Sequence, residues 1–357
     1  LAIILGLISQ IILAKALLQS HYGLLVVILH AFATMYILID AGLPTLLARD
    51  VPRHPGASRI AVQRVLKLQL CIALPFLVLS ALVATSIWNE VELSLLVVCA
   101  SIAFGQIMSY PHKAMLRAVG EARIESGLKL LERLLTTVFY WIFLTNGYNS
   151  PTIYACGFSI GVFISLIGTL CIGEWYSRSD DSNLPNDWKS NKSLVIAALP
   201  FAITLGVLPY VTKLQKFLLA GFSNYEDVGL YHVAQLAWVA GLMLPQAMRA
   251  ALLPYLGEVR NSEHRFARRM SLAHHWTLAI LPIGLVAGHT IVYFAIPQFF
   301  DAEYSSAIHI FDILLAGWAM TLLAIPWYVA LQAGNNPWRF TLLITMIVVV
   351  SLIAGWL

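Results

Sequence analysis

The stretch LSLLVVCASIA, residues 93–103, contains no charged side chain and lies inside a longer apolar run over residues 93–116. An apolar run of about 18 residues or more is long enough to cross a bilayer as a helix. The stretch lacks the alternation of apolar and polar residues that is typical of a transmembrane β-strand. It therefore predicts a transmembrane helix.

The whole chain has the same character as this run. Of its 357 residues, 59% are hydrophobic and 11% are charged, whereas a typical soluble domain carries about 25% charged residues. The mean hydropathy is +0.79. This composition excludes a soluble enzyme, a disordered chain and a nucleic-acid-binding protein. It predicts an all-α polytopic membrane protein.

Eleven apolar runs are candidate spans, at residues 1–18, 23–48, 65–88, 93–116, 127–146, 151–173, 193–219, 229–253, 271–296, 307–332 and 339–357. The fifth is the weakest, because Lys129, Glu132 and Arg133 lie in its first turns. The first run has no basic segment before it and no cleavage site, so it does not resemble a signal peptide. Since the sequence begins without Met and stops within an apolar run, we expect trimmed ends and a twelfth helix beyond residue 357.

Basic residues are distributed unequally between the two sets of loops. They cluster within residues 49–67, 113–133, 178–192 and 260–269 and at Arg339. The alternate loops contain no Lys or Arg, and their charged residues are all acidic: Glu90, Glu92, Glu226, Asp227, Asp301 and Glu303. Lys and Arg accumulate on the cytoplasmic side of membrane proteins. The sequence therefore predicts a cytoplasmic N-terminus in a bacterial cytoplasmic (inner) membrane.

A polar segment divides the chain into two halves that repeat each other. We predict an N-terminal six-helix lobe over residues 1–173, a cytoplasmic linker over 174–192 and a C-terminal lobe over 193–357, its last helix incomplete. Pro111 and Pro326 are each followed five residues later by Leu, a polar residue and Ala, with Gly one or two residues further on. Proline kinks a helix, so these two equivalent prolines are hinge candidates. Six helices per repeat predict two lobes around a central cleft.

When the bases of the cytoplasmic clusters are set aside, four basic residues remain, and they lie within the spans: Lys15, Lys213, Lys216 and Arg249. A charge at the bilayer centre costs about 2.5–3.5 kcal/mol, so such residues usually face a partner or a water-filled cavity. Either the lysines extend to the headgroups, or they line a cavity that holds an anion. Arg249 belongs to the cytoplasmic basic set or faces the cleft, where its planar group suits a phosphate.

Acids within the spans are candidates for ion or proton coupling. Asp40 lies near the inner end of the second span, and Asp312 follows His309 by three residues in the tenth. Residues three apart share a helix face, so His309 and Asp312 form either a proton relay or a hydrogen-bonded structural pair. The lone histidines of the spans, His30, His232 and His289, are expected to pack or to hydrogen-bond.

Several short motifs resemble the polysaccharide-biosynthesis flippases of the Wzx type, which belong with the multidrug and toxin extrusion (MATE) transporters to the MOP superfamily. The motifs are Ala14-Lys15-Ala16-Leu17-Leu18 with Tyr22-Gly23, Asp40-Ala41-Gly42-Leu43 with Arg49, Leu199-Pro200, Val228-Gly229-Leu230-Tyr231-His232-Val233-Ala234, and Pro254. The resemblance implies twelve or more helices in two six-helix lobes, a cationic central cavity and alternating access. It also implies that Lys15, Lys213, Lys216 and Arg249 bind the pyrophosphate of a lipid-linked oligosaccharide.

The partners expected from this resemblance are a lipid-linked oligosaccharide such as an undecaprenyl-pyrophosphate O-antigen unit of lipopolysaccharide, membrane lipids, and polysaccharide polymerase or chain-length machinery. One position departs from the family, because many relatives carry an acid where Gln215 stands. Ion coupling through that position is therefore in doubt.

Two further functions stay open beside flipping. A membrane-embedded glycan polymerase or ligase would handle the same substrate, although the outer loops are short and contain no Lys or Arg. A drug or cation antiporter would line its cleft with acids, whereas bases outnumber acids in these spans. The sequence has no Walker A, HExxH or GxSxG motif and no metal-ligand spacing among its four cysteines. We therefore predict no catalytic residues, no metal and no cofactor.

Overall fold

The structure is a computed structural model that describes residues 1–87, 91–177, 188, 190–259 and 262–333, together with isolated positions beyond 333. Within these residues it contains α-helices and short 3₁₀ turns and no strand. The helices are α1 (Ala2–Ala16), α2 (Gln19–Asp40), α3 (Leu43–Asp50), α4 (Ser58–Ile87), α5 (Leu93–Ala118), α6 (Ala122–Thr145), α7 (Pro151–Tyr176), α8 (Asn191–Phe222), α9 (Tyr225–Gly241), α10 (Met243–Gly257), α11 (Glu263–Phe299) and α12 (Ala307–Ala333). The predicted all-α class is confirmed.

Six segments of the described residues are long and apolar enough to cross a membrane: Ser58–Ser86, Leu93–Ala118, Pro151–Tyr176, Tyr225–Arg249, Glu263–Phe299 and Ala302–Leu331. The first predicted span forms an apolar helix of 15 residues, which is shorter than the ~20 residues that a spanning helix needs. The predicted span over 339–357 lies almost entirely outside the described residues.

Two predicted spans are each divided into two helices. The run over 23–48 breaks between α2 and α3, where Ala41 and Gly42 have φ values of +46° and +71°. Positive φ takes the chain out of the right-handed helix, at little cost for glycine and at a steric cost for alanine. The run over 229–253 breaks at Leu242. There the indole nitrogen of Trp318 donates to the carbonyl of Gly241 at 2.9 Å and so satisfies a group released by the break.

Packing divides the chain into two compact units, Leu1–Lys213 and Leu214–Leu357. The boundary lies inside α8, whereas the sequence places it at the polar linker. The reason is that the first turns of α8 pack with the first unit: Leu194 and Ala198 belong to a buried cluster with Trp188. The predicted limits of the two lobes stay a prediction.

In the first unit, α5 is the central helix and packs against α2, α3, α4, α6 and α7. Glycines allow the closest approaches. A Cβ added to Gly105 would lie 2.7 Å from Val162 of α7, and one added to Gly161 would lie 2.9 Å from the hydroxyl of Thr136 on α6. Small residues at such contacts let membrane helices pack closely.

In the second unit, α12 is central and packs against α9, α10 and α11. Its buried side chains include Phe311, Leu315 and Trp318. Leu315 meets α11 at Gly288, where an added Cβ would lie 3.0 Å from its Cδ1. The same helix carries two of the predicted functional residues, Asp312 and Pro326.

Candidate functional site

Lys216 is the most buried of the four predicted cavity bases. Lys216 is 2% exposed, and its Nζ lies 2.8 Å from Nδ1 of His232, a residue that is 7% exposed. The two residues belong to α8 and α9, which are joined by the short turn at Ser223 and Asn224. The sequence analysis expected His232 to pack or to hydrogen-bond, and in the structure it contacts the predicted anion-binding lysine.

The other two predicted lysines have different surroundings. Lys213 is half-buried and lies three residues before Lys216 on α8, whereas Lys15 is exposed near the end of α1. Between the two lysines of α8, the carboxamide oxygen of Gln215 is buried without a hydrogen-bond partner. The convergence of these bases on one cavity stays a prediction.

Arg249 is half-buried on α10 and stacks against an aromatic ring. Its guanidinium carbon lies 4.8 Å from the ring centroid of Tyr328 on α12. A cation over an aromatic face is stabilised by about 0.5–2 kcal/mol, depending on how far it is desolvated. This contact orients the planar guanidinium group against the ring of Tyr328.

Asp312 contacts a different histidine from the one expected. Its carboxylate lies 2.7 Å from Nδ1 of His289 on α11, and the ring of Tyr293 stacks on that imidazole with the centroids 6.1 Å apart. His309 is exposed. The sequence analysis paired neighbours on one helix, whereas the structure pairs residues of two antiparallel helices. The assignment of a coupling role to Asp312 or His309 stays a prediction.

Asp40 is buried where α2 ends. Gln69 of α4 donates to its carboxylate at a long distance of 3.4 Å. The left-handed residues Ala41 and Gly42 follow directly, so this carboxylate lies beside the break in the second predicted span. That position is compatible with ion binding and equally with helix termination.

The two hinge candidates, Pro111 and Pro326, are buried inside α5 and α12. Both helices continue through their proline. Each ring removes one backbone N–H donor and so weakens the helix at that point. Their function as hinges stays a prediction.

A buried ion pair in the first unit was missed by the sequence analysis. Nζ of Lys113 on α5 lies 3.5 Å from the carboxylate of Glu132 on α6, with side chains that are 7% and 9% exposed. The sequence analysis counted Lys113 with the cytoplasmic bases and placed Glu132 in the first turns of the fifth span, without pairing them. The sequence contains a pattern that could have revealed the burial of Glu132. The buried residues of α6 are Glu125, Leu128, Glu132, Thr136 and Tyr140. Their spacing of three and four residues places Glu132 on one buried helix face.

Glu125, on the same face of α6, is held by two bases. Its carboxylate lies 2.9 Å from Arg117 and 2.8 Å from Lys129. We call these five residues, Lys113, Arg117, Glu125, Lys129 and Glu132, the α5–α6 charge cluster. Its opposite charges are paired, as buried charges in proteins usually are.

The interhelical linker is anchored to the first unit by Trp188. The residue is fully buried, and its indole nitrogen donates to the carboxylate of Asp50 at 2.8 Å. Arg49 donates to both oxygens of the same carboxylate at 2.6 and 3.0 Å, and Arg64 donates to the carbonyl oxygen of Trp188. This anchor explains why the start of α8 packs with the first unit.

No group of three or more His, Cys, Asp or Glu side chains that could hold a metal ion occurs among the residues that the structure describes. The charged groups within the described helices include an ion pair, Lys113 with Glu132, and two bases that contact rings, Lys216 at the imidazole of His232 and Arg249 at Tyr328.

Comparison with known families decides the family of this chain. The model of a family described as polysaccharide biosynthesis protein matches residues 1–260. The chain belongs to the polysaccharide biosynthesis protein family. The resemblance inferred from the sequence motifs is thereby confirmed. The comparison of this chain with curated proteins found no match.

Solved structures show the same fold. A multidrug resistance MATE family transporter of the MOP superfamily, in an inward-facing conformation, matches with a TM-score of 0.70 and 15% identity over 97% of this chain and 84% of its own. The lipid II flippase MurJ, in an inward closed conformation, matches with a TM-score of 0.67 and 13% identity over 98% and 77%.

A third match is a MOP superfamily transporter from Pyrococcus furiosus whose structure is described as having a binding pocket of reverse polarity. Its TM-score is 0.62, with 13% identity over 96% of this chain and 80% of its own. This family member is thus a multi-pass membrane protein with the MOP-superfamily fold.

Proposed function

We propose that this protein is a transporter that flips lipid-linked oligosaccharides, with the sugar units carried on undecaprenyl pyrophosphate, across the bacterial cytoplasmic membrane by alternating access. O-antigen units of lipopolysaccharide are the substrate class that we favour, and the N-terminus lies in the cytoplasm. Membership of the polysaccharide biosynthesis protein family supports this proposal. So does the fold, which is similar to that of a lipid II flippase.

The observation that carries the proposal is the ammonium group of Lys216, buried within an apolar helix and in contact with an imidazole. A charge within the membrane is costly and usually marks a substrate or ion pathway. An imidazole can accept a hydrogen bond from the ammonium without bringing a negative charge. In this proposal the ammonium of Lys216 binds a phosphate of the pyrophosphate.

The remaining bases extend the same function. Lys213 lies one turn from Lys216, and Arg249 presents a planar fork that binds two phosphate oxygens at once. Lys15 lies near the end of α1. The polar headgroup enters the cleft from the cytoplasm while the polyprenyl chain stays in lipid. Bending at Pro111 and Pro326 contributes to the exchange between inward-open and outward-open states.

Ion or proton coupling is assigned to acids in the helices. Asp312 is the first candidate, and its carboxylate is in contact with His289 of the neighbouring helix α11. Asp40 is the second candidate. No catalytic residue is required, because flipping breaks no covalent bond. The polymerase and chain-length proteins that act on the flipped unit are the expected partners.

A flipping assay tests this function. The purified protein is reconstituted in vesicles with an undecaprenyl-pyrophosphate oligosaccharide labelled on its sugar, and the label's accessibility from outside is followed with time. We expect accelerated flipping by the unaltered protein and its loss in the double variant Lys15→Glu with Lys216→Glu. Lys67→Glu, which changes an exposed base of α4, is the matched control and should flip normally.

Three results with the reconstituted protein, from this assay, from analysis of the glycan products and from uptake of an organic cation, would contradict the proposal. Normal flipping by the double variant would remove the cationic site. Formation of new glycosidic bonds would indicate a polymerase or ligase. Transport of an organic cation without flipping of the lipid would indicate an antiporter.

A further inference from the structure

His112 on α5 is a buried side chain whose hydrogen-bonding groups are not used. The residue is 1% exposed, and neither ring nitrogen has a hydrogen-bond partner among the residues that the structure describes. A neutral imidazole has one N–H donor and one acceptor nitrogen, so both groups are unsatisfied in either tautomer. Buried polar groups of native proteins are nearly always hydrogen-bonded, and an exception requires an explanation.

The ring of His112 lies against the backbone of α7. A Cβ added to Gly173 would lie 2.3 Å from Cδ2 of His112, so the ring occupies the space that a side chain at position 173 would take. This contact places the imidazole beside the next residue of α7, Glu174. The carboxylate of Glu174 interacts electrostatically with the ring, although no hydrogen bond joins the two side chains. An acceptor for His112 is therefore one residue away from the glycine that the ring contacts.

Glu174 is instead held by a base of α4. Its Oε2 lies 2.9 Å from Nε of Arg59, and the hydroxyl of Ser177 donates to the same oxygen at 3.4 Å. The side chains of Arg59 and Glu174 are 51% and 39% exposed. An ion pair with this exposure contributes little to stability, because water solvates both of its charges. The carboxylate can therefore exchange its partner at a small cost.

The position of His112 along α5 gives it a way to reach that carboxylate. It directly follows Pro111, which lies inside the helix and has no N–H to donate to the carbonyl of Ile107. The helix is weakened at this point, so its last turns, from His112 to Ala118, are able to bend relative to the turns before Pro111. Such bending moves the imidazole along the surface of α7.

We propose that His112 is a positioning residue of the transport cycle, which donates an N–H to the carboxylate of Glu174 when α5 bends at Pro111, while Glu174 leaves Arg59. The Arg59–Glu174 pair then belongs to the conformation of this structure, and the His112–Glu174 hydrogen bond belongs to the alternate one. The inference rests on the proposed function, because it assigns one contact of the exchange between the two open states. The unsatisfied imidazole disfavours the present conformation and the ion pair favours it, which keeps the two conformations close in free energy.

Four variants separate an exchanged hydrogen bond from simple packing. His112→Leu removes both nitrogens, His112→Gln keeps an N–H donor, Glu174→Ala removes the acceptor, and the double variant His112→Leu with Glu174→Ala removes donor and acceptor together. The matched controls are His275→Leu, which changes an exposed histidine of α11, and Glu258→Ala, which changes the exposed acid paired with Arg269. The initial rate at which the reconstituted full chain flips the labelled undecaprenyl-pyrophosphate oligosaccharide, and the thermal unfolding midpoint, are measured for each protein.

We expect His112→Leu and Glu174→Ala each to flip at least about tenfold more slowly, the factor that corresponds to one hydrogen bond to a charged group. Because both variants remove the same contact, the double variant should lie within about threefold of the slower single variant. His112→Gln and the two controls should flip within about threefold of the unaltered protein, since the amide of glutamine still donates. The unfolding midpoint of His112→Leu should be unchanged or higher, because a buried polar group without a partner has been removed.

The failures of the inference and of the proposed function are distinguishable. If the unaltered protein flips the substrate and His112→Leu flips it equally fast, the ring only packs against α7 and the inference is wrong, whereas the proposed function stands. Single effects that multiply to about a hundredfold in the double variant would show that the two residues act separately, which also overturns the inference. Should His112→Leu fail to fold, an unchanged rate in Glu174→Ala, a variant of a partly exposed residue, overturns it alone. If the unaltered protein does not flip the substrate at all, the proposed function and the inference are both wrong.

Discussion

Removing either member of the Lys113–Glu132 pair should destabilise the first unit far more than removing both. The Nζ and carboxylate oxygen are 3.5 Å apart, and both side chains are buried. At an effective dielectric constant of about 20, two unit charges at this distance attract each other by about 5 kcal/mol. Loss of one partner leaves an uncompensated buried charge, which costs about 3–5 kcal/mol.

The cluster around the pair makes the two single variants unequal. The α5–α6 charge cluster contains three bases and two acids. Lys113→Met leaves two of each, whereas Glu132→Gln leaves three bases with one acid. We therefore expect Glu132→Gln to be the more destabilising variant. The double variant Lys113→Met with Glu132→Met should lie within about 1–2 kcal/mol of the unaltered protein, because well-packed apolar residues can replace a buried pair.

The free energy of unfolding in mixed micelles, measured by titration with a denaturing detergent, tests this cycle. The control is the exposed pair Arg59–Glu174, whose Nε and carboxylate oxygen are 2.9 Å apart. Its replacement by two glutamines should change the free energy by no more than about 1 kcal/mol, as is usual for surface pairs. Single effects below about 1 kcal/mol at Lys113 and Glu132, adding without coupling in the double variant, would refute the reasoning.

Three other substitutions have expected outcomes of stated size. Trp188→Ala should lower the free energy of unfolding by about 3–5 kcal/mol, because it empties a fully buried site, and a wild-type unfolding curve would contradict this. Gly161→Ala should cost about 1–3 kcal/mol by forcing α7 away from α6, whereas Gly6→Ala, which meets no atom within 4 Å, should be neutral in the same titration. Arg249→Lys keeps the charge but loses the planar contact with Tyr328, so we expect about a two- to tenfold weaker affinity for undecaprenyl pyrophosphate, and unchanged affinity would remove this base from the site.

Helix positions were predictable from the sequence where a long apolar run ends at a recognisable signal. The prediction of 151–173 corresponds to Pro151–Tyr176, and that of 307–332 to Ala307–Ala333. Proline in the first turn marks the start of α7. Hydropathy sums over many residues, so one atypical position does not alter these spans.

The breaks inside predicted spans were not predictable in the same way. Ala41 has a positive φ although alanine disfavours that region. The break after Gly241 is stabilised by Trp318, a residue 77 positions away in sequence. Both features depend on tertiary packing, which local composition does not contain.

The side-chain partners were missed because the sequence analysis looked along single helices. His309 was paired with Asp312 by its spacing of three residues, whereas the structure brings His289 to the carboxylate. His289 lies ten residues before the end of α11, and Asp312 lies ten residues after the start of the 3₁₀ turn that leads into α12. In an antiparallel hairpin, residues at equal distances from the turn lie at one level, and this relation can be read from a sequence once the turn is located.

The same relation holds for one of two buried lysines among the described residues and not for the other. Lys216 lies six residues before the end of α8, and His232, which it contacts, lies seven residues after the start of α9. Lys113 lies five residues before the end of α5, whereas its partner Glu132 lies ten residues after the start of α6. The distance from the turn therefore locates the partner of Lys216 from the sequence, whereas the partner of Lys113 depends on how α6 packs against α5, which local composition does not contain.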